Sequence, residues 1–199
     1  GYLPNMKINC AMMFSIAILY IIMLYKFGLS IHLIEYLLLV PSFISVFVID
    51  YRKQIIPNRL VLTIFEIGLA FAFIAGMSSA SIFIDKILGM FAGAGVFLLI
   101  TLIGGAIAGK EAMGFGDVKL MGALGLIFGL INTIMITVLS FLLGAIISIV
   151  LLATKRKKTN EYIPFGPFII LATFCVILVP YNTMLYALLK VFTLGTYRG

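Results

Sequence analysis

Charge is scarce in this chain. Only 11% of its 199 residues are Asp, Glu, Lys or Arg, and seven of those are acids. Against this, 63% are hydrophobic and the mean hydropathy is +1.25. A water-soluble domain of this length must solvate its exterior with polar side chains, so these proportions exclude one. The period-two alternation of an outer-membrane barrel is missing as well. Histidine occurs once, at His32, with nothing beside it to complete a triad or a metal site, which disfavours serine or cysteine nucleophile chemistry. No metal and no cofactor is expected. The two cysteines, Cys10 and Cys175, lie far apart with neither a CxxC pair nor a zinc spacing, and read as packed thiols. The net charge of +7 falls between apolar segments and forms no basic stripe with interleaved aromatics, which argues against nucleic acid as a partner.

What is present is a succession of apolar runs of roughly 17–25 residues, the length a helix needs to cross a bilayer. Seven membrane segments are expected, at 8–25, 31–50, 59–76, 82–108, 117–130, 133–153 and 164–179. The first could pass for a signal peptide, but residues 20–26 offer no small-residue cleavage site, so it reads as a retained helix. The fourth is long and glycine-rich, and tilt or a kink is expected there. The tail, 180–199, carries a short interfacial helix near 183–192. The fold class is thus all-α, a polytopic membrane bundle of six to seven transmembrane helices. We expect one domain over 1–199, with its core at 31–179. Three GxxxG pairs, Gly89 with Gly93, Gly105 with Gly109 and Gly125 with Gly129, suit close helix contact.

Orientation follows from Lys and Arg alone. With the N-terminus inside, the inner loops hold Lys7, Arg52, Lys53, Arg59, Lys110, Lys119, Lys155, Arg156, Lys157 and Lys158. The outer regions hold only Lys26, Lys86, Lys190 and Arg198. The positive-inside rule therefore puts the N-terminus in the cytoplasm.

An Asp at the centre of a membrane helix costs roughly 2.5–3.5 kcal/mol on insertion scales, so each acid is a candidate for function. Asp50 closes the second segment and Asp117 opens the fifth, which places both at the cytoplasmic membrane surface. Two converging carboxylates are what an aspartyl protease uses: they share one proton, the charged one activates a water and the protonated one supports the carbonyl oxygen. On spacing alone, each could equally pair with Arg52, Lys53 or Lys119. A small proton- or cation-coupled transporter using Asp50 and Asp117 is the alternative from another class. Helix dipoles would favour charge on Asp117, at a helix start, over Asp50, at a helix end. Glu66 is expected inside the bundle, and Asp85 to cap the fourth helix. Glu35 lies near the outer end of the second helix, and Glu111 and Glu161 fall in loops among lysines.

Three segments resemble one family. Asp50-Tyr51-Arg52-Lys53-Gln54-Ile55-Ile56-Pro57-Asn58 is similar to the first aspartate motif of type IV prepilin peptidases, with its Ile-Pro-Asn. Gly114-Phe115-Gly116-Asp117-Val118-Lys119-Leu120 resembles their GxGD motif, and Ile163-Pro164-Phe165-Gly166-Pro167-Phe168 their later Pro-Phe-Gly-Pro segment. The resemblance implies an aspartic endopeptidase of the bacterial inner membrane with its site facing the cytoplasm. It would remove the basic leader from prepilins and pseudopilins of the type IV pilus and type II secretion systems, cutting after a glycine and before the hydrophobic stem. Asp50 and Asp117 would be catalytic. Gly114, Gly116, Lys119, Pro57, Asn58, Pro164, Phe165, Gly166 and Pro167 would bind substrate or shape the site. Gly114 and Gly116 are expected near positive φ, open to an extended substrate. The partners are a prepilin-like helix and the bilayer. The cysteine-bearing N-terminal domain tied to methylation in many bacterial members has no match in these residues.

Overall fold

The computed structural model describes residues 6–108, 113–154 and 164–192. Gly109, Lys110, Glu111, the 155–158 basic run, Glu161, Ile163 and the tail beyond Phe192 lie outside them, as do the side chains of Lys7 and Cys10. The described residues form α1 Met6–Phe27, α2 Ile31–Lys53, α3 Asn58–Ser78, α4 Ala80–Ala108, α5 Phe115–Ala153, α6 Gly166–Leu178 and α7 Tyr181–Phe192. Among them, Ile31–Lys53, Asn58–Ser78, Ala80–Ala106 and Phe115–Leu151 are long and apolar enough to cross a membrane, and Met12–Phe27 and Gly166–Leu178 are shorter apolar helices. Outward faces carry Leu62, Phe73, Phe91 and Leu102, all exposed, as lipid contact allows. The protein is an all-helical polytopic membrane bundle.

Local chemistry sets the boundaries. Gly28, at φ +55, ends α1, and Ser30 starts α2 by accepting the Leu33 N–H on Oγ at 3.3 Å. Pro41 sits inside α2, where its missing N–H frees the carbonyl of Leu37. The Tyr20 hydroxyl of α1 donates to that oxygen at 2.8 Å, so the proline defect becomes a helix–helix contact. In the last turn of α1, Lys26 Nζ donates to Ile177 O of α6 at 2.6 Å.

Helix α5 is a hairpin. Gly129, at φ 74 and ψ 179, occupies a region essentially reserved for glycine. A Cβ on Gly93 of α4 would meet both Met121 O at 2.6 Å and Thr133 Cγ2 at 2.9 Å. In a straight helix those two residues would stand about 18 Å apart along the axis, so the chain must reverse between them. The limb 115–128 therefore runs against α4 and the limb 130–153 back alongside it, with Phe97 of α4 5.4 Å from Phe141 of the second limb. The expected fifth and sixth segments are these limbs. Their junction is a single glycine rather than a loop at 131–132. Gly89 makes the closest seam, since a Cβ there would meet Gly125 O at 2.5 Å and Gly129 C at 2.5 Å. The small residues are obligatory where backbones touch, as the GxxxG spacing implied.

Two expectations about acids are corrected. Glu66 is exposed on α3, pointing away from the bundle rather than into it. Asp85 does not cap its own helix: its Oδ1 accepts the Leu130 N–H of the second α5 limb at 3.3 Å.

Candidate active site

Asp50 and Asp117 are 3% and 2% exposed, at one end of the bundle. They come from different helices, and the charge of Asp50 reaches the Asp117 carboxyl. Asp50 is held by a backbone donor. The Gly166 N–H, at the start of α6, donates to Asp50 Oδ2 at 2.9 Å. Asp117 is the third residue of α5, so its carboxyl lies beside the free N–H groups of that helix's first turn. Its own N–H donates to Gly114 O at 3.0 Å, closing the first turn. Asp117 Oδ1 is buried without a hydrogen-bond partner. The dipole expectation needs amending here, because Asp50 ends α2 but also faces the N-terminus of α6. Both carboxyls thus sit at helix N-termini, where negative charge is favoured.

The connection between α2 and α3 packs directly on the start of α5. Gln54, at φ 55, ends α2 in the left-handed region, with its N–H on Asp50 O at 2.8 Å. That turn sends Ile56, 9% exposed, onto Gly116, where an added Cβ would stand 3.0 Å from Ile56 Cβ. Pro57 precedes α3 with φ −66, and its carbonyl accepts the Leu60 N–H at 3.1 Å. Asn58 Oδ1 accepts from Lys119 Nζ at 3.1 Å, and the same ammonium lies 5.1 Å from the Phe115 ring centroid. Lys119 thus turns to Asn58 and Phe115, tying the α3 start to the α5 start.

The glycines act by closeness, not by handedness. Among the described residues only Gly28 and Gly129 are glycines with positive φ, so the expectation for Gly114 and Gly116 is corrected. Gly116 is small because Ile56 lies against it, and Gly166 because Asp50 does: a Cβ on Gly166 would meet Asp50 Oδ2 at 2.6 Å. Phe165 wedges between helices, its ring 5.0 Å from Phe141, 5.9 Å from Phe97 and 5.9 Å from Phe168. Pro164 and Pro167 are buried and line a cavity of about 470 Å³ with Tyr51 and Gln54, on the Asp50 side. On the Asp117 side, Asn58, Phe115 and Lys119 border an apolar cavity of about 520 Å³ between α3, α4 and α5.

All eleven residues singled out from sequence therefore fall at one end of the bundle, in one contiguous neighbourhood. Sequence reasoning missed Gln54 and Ile56 as shaping residues. Both lie inside the Asp50–Asn58 motif, but nothing local marks Gln54 as left-handed or Ile56 as the residue that covers Gly116.

Fold and site together define a polytopic helical membrane protein with two buried carboxyls at one end. The family model for the type IV leader peptidase family matches residues 37–149. The chain is 33% identical over 136 residues to the prepilin leader peptidase/N-methyltransferase of Aeromonas hydrophila, covering 68% of this chain and 46% of that protein. It is 32% identical over 139 residues to the protein of the same name from Pseudomonas aeruginosa, covering 68% and 46%. With that of Pseudomonas putida the identity is 26% over 175 residues, covering 88% and 58%. The chain spans about half the length of the curated relatives it matches. No solved structure matches it. The chain belongs to the type IV leader peptidase family.

Proposed function

We propose that this chain is an aspartic endopeptidase of the bacterial inner membrane that removes the basic leader of type IV prepilins and pseudopilins. The cut falls on the cytoplasmic side, after a glycine and before the hydrophobic stem. The observation that carries the reading is the meeting of Asp50 and Asp117, buried and close enough for one charge to act on the other. Two carboxyls so placed hold one proton between them. The ionised member takes a proton from the attacking water and the protonated one donates toward the carbonyl oxygen of the scissile bond. The Gly166 N–H fixes the Asp50 carboxyl, so its orientation costs little reorganisation during the reaction.

The shape of the surroundings supports a helical substrate. Cavities flank the pair on both sides, one apolar and open toward α3 and α4, the other between α2, α5 and α6. An apolar stem lying in the bilayer could enter sideways, and cleavage requires the backbone at the cut to be unwound and reachable by the carboxyls. A glycine at the cut supplies that freedom.

The test is cleavage of a prepilin-like substrate by purified protein in liposomes, comparing the unaltered chain with Asp50→Asn and Asp117→Asn. Cutting after the leader glycine by the former, with both folded variants inert, supports the proposal. Folded variants that still cut would place the chemistry elsewhere.

A further inference from the structure

The end of the bundle away from the carboxyl pair holds a further cavity, of about 380 Å³, between α2, α3 and α4. Its level follows from the residues around it. His32 lies at the start of α2, Ser78 is the last residue of α3, and Ile82 belongs to the first turn of α4. Three helices therefore begin or end at its mouth, which is the depth at which a spanning helix meets the lipid headgroups. Two charged residues line it further in. Glu35 lies roughly 6 Å from the start of α2 and Lys86 roughly 9 Å from the start of α4, at 1.5 Å per residue.

Glu35 and Lys86 are 3% and 9% exposed, yet no ion pair joins them among the described residues. Each keeps hydrogen-bonding capacity. Glu35 Oε2 lies 3.5 Å from Nδ1 of His32, an exposed side chain, while Oε1 is buried with no hydrogen-bond partner. Lys86 Nζ donates to Ile127 O at 2.5 Å, one of the three bonds an ammonium can make. Opposite charges buried in one cavity without pairing are costly, and in a membrane protein such residues mark sites where another group meets them. The remaining wall is apolar. Phe71 is half-buried, and Ile74 and Ile82 are exposed at the sides of α3 and α4.

These walls define their occupant. A cation would answer Glu35 and be repelled by Lys86; an anion would do the reverse. A zwitterion satisfies both, and the exposed isoleucines suit one that carries hydrocarbon chains. We propose that this cavity binds the headgroup of an aminophospholipid, its primary ammonium donating to Glu35 and its phosphate accepting from Lys86, with the acyl chains leaving over Ile74 and Ile82. The site stands apart from the carboxyl pair and does not depend on the function proposed above.

The experiment uses two lipids that differ only at nitrogen. The full chain is reconstituted in vesicles of equal phosphatidylethanolamine and phosphatidylcholine, extracted in mild detergent, and its retained lipid counted by native mass spectrometry. Phosphatidylcholine has the same charges but no N–H to donate to Glu35. The unaltered chain should retain phosphatidylethanolamine at least about fivefold over phosphatidylcholine, and Glu35→Leu should retain the two about equally. Ile82→Trp, which fills the mouth and leaves both charges in place, should lower retention of phosphatidylethanolamine at least about threefold. Equal retention of both lipids by the unaltered chain, or a preference that survives both substitutions in folded protein, overturns the proposal. Folding is checked by thermal denaturation, and if Glu35→Leu does not fold, Ile82→Trp decides. Free phosphoethanolamine is then added as competitor. Bound lipid that stays in place supports a lipid site, whereas displacement at equal concentration would assign the cavity to a soluble amine and overturn it.

Discussion

Replacing Gly166 with Ala puts a methyl group where the Asp50 carboxyl already lies. The new Cβ would stand 2.6 Å from Oδ2, 3.1 Å from Cγ and 3.3 Å from Cβ of Asp50. The backbone at 166 is not left-handed, so Ala fits α6 and the whole strain falls on the carboxyl. Asp50 must swing aside and lose the 2.9 Å hydrogen bond from the Gly166 N–H. A hydrogen bond to a charged group contributes about 1.5–3 kcal/mol, and one pKa-sized step of 1.36 kcal/mol is tenfold in rate, so kcat should drop roughly 10- to 150-fold. KM should change less than kcat, because the displaced carboxyl acts on the scissile bond while the proposed stem contacts lie in the flanking cavities. The assay is initial-rate cleavage of a purified prepilin-like substrate in liposomes, with folding followed by thermal denaturation in detergent. A folded Gly166→Ala protein with unchanged kcat would refute the claim that Gly166 orients Asp50 for the reaction.

Gly129→Ala should lower stability by about 1–3 kcal/mol, read as an earlier thermal midpoint, because Ala is strained at φ 74 and its methyl would collide with the Asp85 carboxylate. Gly116→Ala should reduce cleavage more than stability, since Ile56 Cβ at 3.0 Å must yield beside Asp117; Ile56→Ala should not rescue it, as that Cβ remains. Asn58→Ala removes one hydrogen bond between exposed groups, so stability should change by less than about 0.5 kcal/mol by chemical denaturation. The rate of cleavage against pH should be bell-shaped, falling when the pair holds two protons or none; a profile flat on either side would argue against a shared proton.

Much of the architecture was readable because bilayer crossing imposes a simple rule on composition. Apolar runs of fixed length had to be helices, and glycines at four-residue spacing had to be contacts, as Gly89, Gly93 and Gly125 are. Asp50 and Asp117 stood out because acids are costly in such a chain, and quoted motifs around them separated those two from the other five. Long-range facts were not readable. No local pattern says that the Leu37 carbonyl freed by Pro41 is taken by Tyr20, or that Gln54 turns left-handed so Ile56 can cover Gly116. Periodicity could not distinguish a loop at 131–132 from a one-residue reversal at Gly129, since both leave two apolar helices. Glu66, expected inside the bundle, is exposed for the same reason. Which face of an evenly apolar helix turns inward depends on its neighbours, and they bury Glu35 beside Lys86 while leaving Glu66 exposed. The sequence by itself thus determined the class of protein, through the cost of charge in a bilayer, and marked Asp50 and Asp117 as candidates through motifs that resemble those of the family. Only the tertiary structure decided how those residues meet, because distance between helices is set by packing that no single segment contains.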